Sequence, residues 1–382
     1  MKHRIFFLII SIISIMTPFS LRSQSPQDFL YVGTYTENGT AGIYVYQFDR
    51  NTGAVNLVET AGDLASPSYL TIHPNGRYLY SVNRGKVLQD KNWGSVSAFS
   101  IESGTGHLNH LNDQPVFGSE ACYISTDSQG RLAFVANYST GNVVVFPIKN
   151  NGTLGTISDA RQHSGGSINL SRQKGPHAHC AYISPDDKHL YVVDLGIDRI
   201  KTYEIDYLNE KLIPRPESDG LTEPGSGPRH ITFDQEGKFA YVIEELASSI
   251  RVFQRDPGTG ALIPIQDIRT IPEDFTDTNY PADIHIDPTG KYLYGSNRGH
   301  DSLAIFRINE KNGTLEKAGY QSVSGKWPRN FLIDPKGEYV FVVNQNSDNL
   351  AIFKLDPSTG NLEKISDNTS ISKPVCVKIL TR

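Results

Sequence analysis

The amino-acid sequence predicts an all-β fold: a seven-bladed β-propeller with four strands per blade, its ring closed by N- and C-terminal strands that share one blade. Three observations lead there, namely a composition suited to short strands and tight turns, a pattern that recurs seven times, and two chain ends that complete each other. The 382 residues include 33 Gly, 21 Pro, 19 Tyr and 17 Phe against 2 Met and 2 Trp, which favours strands and turns over long helices. With 38% hydrophobic and 20% charged residues the chain can bury a large core, excluding disorder, a coiled coil or a small disulfide scaffold. A formal charge of -5 argues against a nucleic-acid partner, which needs a basic surface.

The repeat alternates two patterns. One is a Pro-led strand, an Asp/His-Pro-x-Gly turn and an aromatic-rich strand, seen at residues 67–80, 281–294 and 328–341, with looser copies turning at Gly130, Asp187 and Gly237. The other is a strand such as 43–48, 303–308 or 350–355 followed by a Thr-Gly-x-Leu type of turn. That turn falls at Gly53, Gly106, Gly152, Glu210, Gly260, Gly313 and Gly360, with spacings of 46 to 58 residues that account for the whole chain beyond its first two dozen residues. Four strands per repeat is the content of one propeller blade. The first repeat lacks a Pro-led strand and begins at Phe29, whereas an orphan strand begins at Pro374, so the two ends are expected to build one shared blade.

Residues 1–23 read as an export signal: Lys2 and Arg4 precede the apolar run from Ile5 to Met16, and Ser20 and Ser23 offer small residues for processing. The run is too short for a membrane span. The expectation is an exported protein, periplasmic or secreted, with residues 24–382 as a single propeller domain and no membrane partner after the signal is removed. Cys122, Cys180 and Cys376 are odd in number and far apart, and read as buried small hydrophobes. Asn38-Gly-Thr, Asn151-Gly-Thr and Asn312-Gly-Thr read as tight hairpin turns with two positive-φ residues, not as glycosylation sites. Gly104-Thr-Gly106 and Gly225-Ser-Gly227 lack the strand, helix and third glycine of a dinucleotide site.

Aligning the repeats shows which residues break them. The residue after each leading Pro, or the one in register with it, should open onto the central funnel, and there stand Ser68, Cys122, His179, Arg229, Ala282, Arg329 and Val375. Seven residues past each turn stand Asn83, Asn137, Asp194, Glu244, Asn297 and Asn344, and one further on Arg84, Tyr138, Leu195, Glu245, Arg298 and Gln345. His179, Arg229, Glu245 and Arg298 depart from the apolar or Asn-rich pattern in consecutive blades, which places a candidate catalytic site on one side of the funnel mouth. His177, Arg84, Arg329, Asn137 and Asp194 are candidate substrate contacts. His177 and His179, at i and i+2, admit a metal reading, but further convergent ligands are missing and His285 should point elsewhere, so neither metal nor other cofactor is expected. A histidine beside Arg and Glu suits proton transfer, and no Gly-x-Ser-x-Gly elbow supports an acyl-enzyme.

Gly175-Pro-His-Ala-His, Asp194-Leu-Gly-Ile-Asp-Arg-Ile, Gly227-Pro-Arg-His, Glu244-Glu-Leu and Ser296-Asn-Arg occur in an order and register that resembles the seven-bladed propeller lactonases over residues 29 to 379. These are similar to the propeller type of bacterial 6-phosphogluconolactonase and, more distantly, to the fungal carboxy-muconate lactonising enzyme. The resemblance implies hydrolysis of a small anionic sugar lactone to the aldonic acid, with the family's His, Arg, Glu and Arg falling on His179, Arg229, Glu245 and Arg298. Glu245 or His179 would be the general base, and Arg229 and Arg298 would stabilise the developing oxyanion. Two departures stand out. The export signal separates the chain from a cytoplasmic phosphorylated substrate, and Glu244 replaces the Asn usual in relatives, which would perturb Glu245 by like-charge repulsion. A non-catalytic exported propeller that binds a ligand or protein through its funnel is the alternative from another class, and a muconate-type lactonising enzyme a third reading.

Overall fold

A computed structural model of the chain describes residues 27–36, 42–85 and 93–382. The proposed export signal and the Asn38-Gly-Thr turn lie outside the described residues. Within them, seven antiparallel sheets follow one another, each with four strands in its main path. Blade 1 combines Asp28–Thr34, Ile43–Asp49 and Ala54–Ala61 with Pro374–Leu380 as its innermost strand. The inner strands of blades 2 to 7 are Pro67–Ile72, Ala121–Thr126, Ala178–Ile183, Pro228–Phe233, Tyr280–Ile286 and Pro328–Ile333. Blade 4 carries one extra short strand, Gly220–Leu221.

Closure takes the form the sequence predicts. Phe29 pairs with Leu380, and the ladder runs to Val32 with Val377, so backbone hydrogen bonds join the two ends. The seam with blade 7 is packed as well as paired: the Phe48 ring meets Phe341 edge-on with centroids 4.9 Å apart. Arg50 reaches across to Glu338 at 2.8 Å and Asp334 at 3.1 Å.

The aromatic and glycine periods turn out to be one device. Tyr31, Tyr80, Tyr191, Tyr241 and Tyr294 each donate a hydroxyl hydrogen bond of 2.7 to 3.1 Å to the carbonyl of Gly106, Gly152, Gly260, Gly313 and Gly360, the outer turn of the next blade. Each such bond contributes about 1 kcal/mol and fixes the blade-to-blade register. A Cβ at Gly152 would stand 2.2 Å from the Tyr78 ring, so the turn must be glycine to let the blades meet. At the two remaining interfaces Phe134 and Phe341 stand at the corresponding strand positions, so no hydroxyl is available there.

The Asn-Gly turns differ from expectation. At Asn151-Gly152 and Asn312-Gly313 only the glycine has positive φ. The Gly152 N–H donates to the Lys149 carbonyl at 2.8 Å and Lys149 N–H to the Thr153 carbonyl at 2.9 Å, so each loop is long enough for a helical turn closed by a left-handed glycine. The three cysteines are free and buried. They also act as polar stitches: Leu70 N–H donates to Cys376 Sγ at 3.3 Å, and Cys122 Sγ lies 3.5 Å from the His179 carbonyl.

Candidate active site

The backbone decides which side chains face the hub. In every blade the inner and second strands slip register at the residue after the leading position, skipping Ser68, Cys122, His179, Arg229, Arg329 and Val375 singly and Ala282 with Asp283 together. These are β-bulges, whose extra residue is turned out of the ladder and re-aimed. The sequence register that selected these positions is therefore a row of bulges around the axis.

Glu245 lies at the centre of the polar cluster. Its Oε1 accepts from Arg172 Nη2 at 2.6 Å and its Oε2 from Arg298 Nη2 at 2.7 Å, with Arg229 Nε 3.1 Å from the same Oε2. The Arg229 contact is an ion pair whose N–H is not aimed at the oxygen, since Nε has no hydrogen-bond partner by geometry. Burial would push the Glu245 carboxyl up, but Arg298, Arg229 and Arg172 overrule it and hold it down at about 2. Like-charge repulsion from Glu244 does not set this carboxyl. Glu244 hydrogen-bonds Ser249 instead, and burial raises it to about 7. Adjacent residues leave a strand on opposite faces, so the two glutamates meet different surroundings.

Arg298 is held by the Tyr280 carbonyl at 2.8 Å and lies under the Trp327 ring, 5.5 Å from its centroid. His179 is 4% exposed, meets Tyr138 and His230 edge-on at 5.5 and 5.2 Å, and its Nδ1 has no partner among the described residues. Burial, then the field of Arg229, pushes its pKa well down, so the imidazole is neutral. His177 stacks on Tyr138 at 4.5 Å and its Nδ1 donates to the Tyr138 carbonyl at 3.0 Å. Thus the structure brings His179, Arg229, Glu245 and Arg298 together, with His177 alongside.

Two of the candidate substrate contacts are elsewhere. Asp194 is fully buried and spends Oδ1 on His177 N–H (2.7 Å) and Gly196 N–H (3.0 Å), and Oδ2 on His163 Nδ1 (2.6 Å). Asn137 is fully buried and donates to the Val116 carbonyl at 3.4 Å. Both end their strands one residue before the funnel-facing ring, so alternation sends them into the loops behind it. They support the site from outside and do not open into it.

Arg84 and Arg329 form a second group. Their guanidinium carbons stand 5.5 and 5.4 Å from the Tyr35 ring centroid. Arg84 donates to Tyr35 at 2.7 Å and lies 3.3 Å from Glu120, whereas half-buried Arg329 has no carboxylate or hydrogen-bond partner among the described residues. Among those residues, four of the five guanidiniums at the funnel are thus ion-paired to two carboxylates, Glu245 and Glu120, and Arg329 to neither.

Sequence reasoning missed Arg172. It comes from the loop between blades 3 and 4, where Asn169 Oδ1 accepts from Arg172 N–H and buried Gln173 anchors to Leu195 and Asp198 at 2.8 Å. The available signal was the spacing of 58 residues between Gly152 and Glu210, the longest in the chain. Among the described residues no group of three or more His, Cys, Asp and Glu is arranged to hold a metal.

The family model described as Lactonase, 7-bladed beta-propeller, matches residues 29–379. The chain belongs to the seven-bladed β-propeller lactonase family. This lactonase-family chain is 36% identical to the 6-phosphogluconolactonase of Bacillus subtilis over 350 residues, covering 92% of this chain and 97% of that one. It is 32% identical to the periplasmic gluconolactonase of Pseudomonas aeruginosa, with a TM-score of 0.86 and coverage of 93% and 99%. A Bacteroides fragilis crystal structure is 37% identical at a TM-score of 0.86, covering 94% and 99%. A hydrolase of a small lactone is the activity to which this family membership points.

Proposed function

We propose that this chain opens an aldonolactone with water to give the free acid, in the manner of a 6-phosphogluconolactonase, without a metal ion. The observation that carries the reading is the Glu245 carboxylate fixed among Arg172, Arg229 and Arg298, with a neutral His179 in the same cluster. Guanidiniums around one carboxylate suit a developing oxyanion and are a poor donor set for a divalent cation.

Both Glu245 oxygens are committed and its proton affinity is low, which makes it a poor base; its work is to fix the arginines. His179 takes the proton of the attacking water. The water oxygen bonds to the carbonyl carbon, and the charge that gathers on the carbonyl oxygen is met by Arg229 and Arg298. The acyl–oxygen bond of the ring then breaks, and the proton on His179 passes to the departing ring oxygen.

Arg329 and Arg84 hold an anionic group of the substrate, a phosphate or a carboxylate. An anion there offsets the arginine field that depresses His179, so binding itself makes the histidine a better base. Lys2, Arg4 and the apolar run after them support export to the periplasm or medium, where the lactone would be met.

The test is hydrolysis of 6-phosphogluconolactone and gluconolactone by the purified mature protein with and without chelator. Rates above background that survive chelator are expected; no turnover of any lactone would leave a ligand-binding propeller. Mass analysis of the protein from periplasm and medium should find an N-terminus near residue 24, and an intact Met1 confined to the cytoplasm would end the export reading.

A further inference from the structure

Arg229 is 2% exposed, and its guanidinium needs acceptors at every N–H it turns inward. Nη1 donates to the Ala282 carbonyl and lies 3.2 Å from His230 Nε2. Arginine cannot accept a hydrogen bond, so Nε2 of His230 must present its lone pair, and the ring proton must sit on Nδ1. Nδ1 in turn lies 2.8 Å from Asp283 Oδ1. The other oxygen, Oδ2, faces donors: Asn330 Nδ2, Phe331 N–H at 3.3 Å and His285 Nε2 at 3.0 Å. Asn330 cannot readily turn its amide round, because its Oδ1 accepts from Val377 N–H at 2.7 Å. His230 is clamped besides, edge-on to His179 at 5.2 Å and to Tyr123 at 5.2 Å.

We propose that His230 and Asp283 are positioning residues for the reaction: the carboxylate fixes the Nδ1–H tautomer of His230, and the free Nε2 lone pair holds the Arg229 guanidinium in the orientation that receives the oxyanion. This rests on the catalytic reading above for Arg229, while the tautomer itself can be judged apart from activity. The two residues lie on inner strands of adjacent blades, so the relay also stitches blade 5 to blade 6 beneath the site. His285, the outlying histidine of the sequence, belongs to this relay through Asp283.

Asp283→Asn is the sharpest probe. Its amide oxygen belongs on the side of the Asn330 and Phe331 donors, so its NH2 turns to His230 and forces the proton onto Nε2, donor against donor with Arg229. In the wild type with 15N-labelled histidine, His230 should show a protonated Nδ1 and a bare Nε2, and Asp283→Asn should exchange them. On a lactone the wild type hydrolyses, kcat should fall ~10- to 100-fold with KM little changed, as for a misplaced transition-state group. His230→Gln, whose Oε1 can still accept from Arg229, should keep kcat within ~10-fold of wild type, and His230→Phe, which fills the space without an acceptor, should lose ~100-fold. If Asp283→Asn fails to fold, the Gln and Phe pair decides. Wild-type kcat in His230→Phe, or an Nε2–H tautomer in the native protein, overturns the proposal; a wild type that hydrolyses no lactone overturns the catalytic reading instead and leaves the tautomer to be read by NMR.

Discussion

Two arcs of the funnel handle charge in opposite ways. On the side of blades 4 to 6, one buried carboxylate takes up three guanidiniums, so each charge there has a counter-ion in the protein. On the side of blades 7 to 2, Arg84 and Arg329 flank an aromatic ring and Arg329 is left without a counter-ion among the described residues. A cation half out of water with no partner costs free energy unless a ligand supplies the anion. On the proposed reading, the paired arc keeps its geometry in the absence of substrate, and the unpaired arc would gain its partner from the substrate.

The largest effect should come from breaking the paired arc. Glu245→Gln leaves three arginines around a neutral amide, and kcat should drop by ~100-fold or more, with a loss of stability of about 3 kcal/mol from the broken buried network. Steady-state kinetics beside denaturant unfolding would reveal both, and an unchanged kcat would remove Glu245 from the site. Next comes its neighbour, which has the same chemistry with one arginine, Arg251 at 3.9 Å, in place of three. Glu244, raised to about 7 by burial, holds a proton in the folded state that the unfolded chain has already released, so stability falls as pH rises from about 4.5 to about 7. Glu244→Gln should remove that cost, stabilising the protein by up to about 3 kcal/mol at pH 8 and hardly at all at pH 4.5. Glu245 has the opposite sign: its contribution is present above the unfolded pKa and is lost as pH falls toward about 2.

The unpaired arc should respond through binding. Arg329→Ala should raise KM for 6-phosphogluconolactone about 10-fold and leave KM for uncharged gluconolactone near wild type. Equal changes for the two lactones would show that Arg329 holds no substrate anion. The smallest effect is ionic: raising salt from ~0.02 to ~0.2 M should increase KM a few-fold for the charged lactone alone.

Much of this division was legible in the sequence, for a physical reason. Repeats make a reference against which a misfit shows, and His179, Arg229, Glu245 and Arg298 were misfits at positions the backbone turns toward the axis. Arg172 was illegible because its loop has no counterpart in other blades, so nothing marked it as unusual beyond the length of the insert. Asn137 and Asp194 were misread because neighbouring positions on a strand share a register but not a direction. The choice between Glu245 and His179 as base depends on how many arginines converge on the carboxylate, which spacing along a chain does not give.

The seam between Asp28–Thr34 and Pro374–Leu380 has a bearing on biogenesis. Because the strand that seals Asp28–Thr34 follows it only after six further blades, the circle stays unsealed until all seven blades have been made. Through that interval the paired edge of Asp28–Thr34 is a bare strand, able to recruit a neighbouring nascent chain. A holdase that shields this edge should therefore raise the yield of folded molecules.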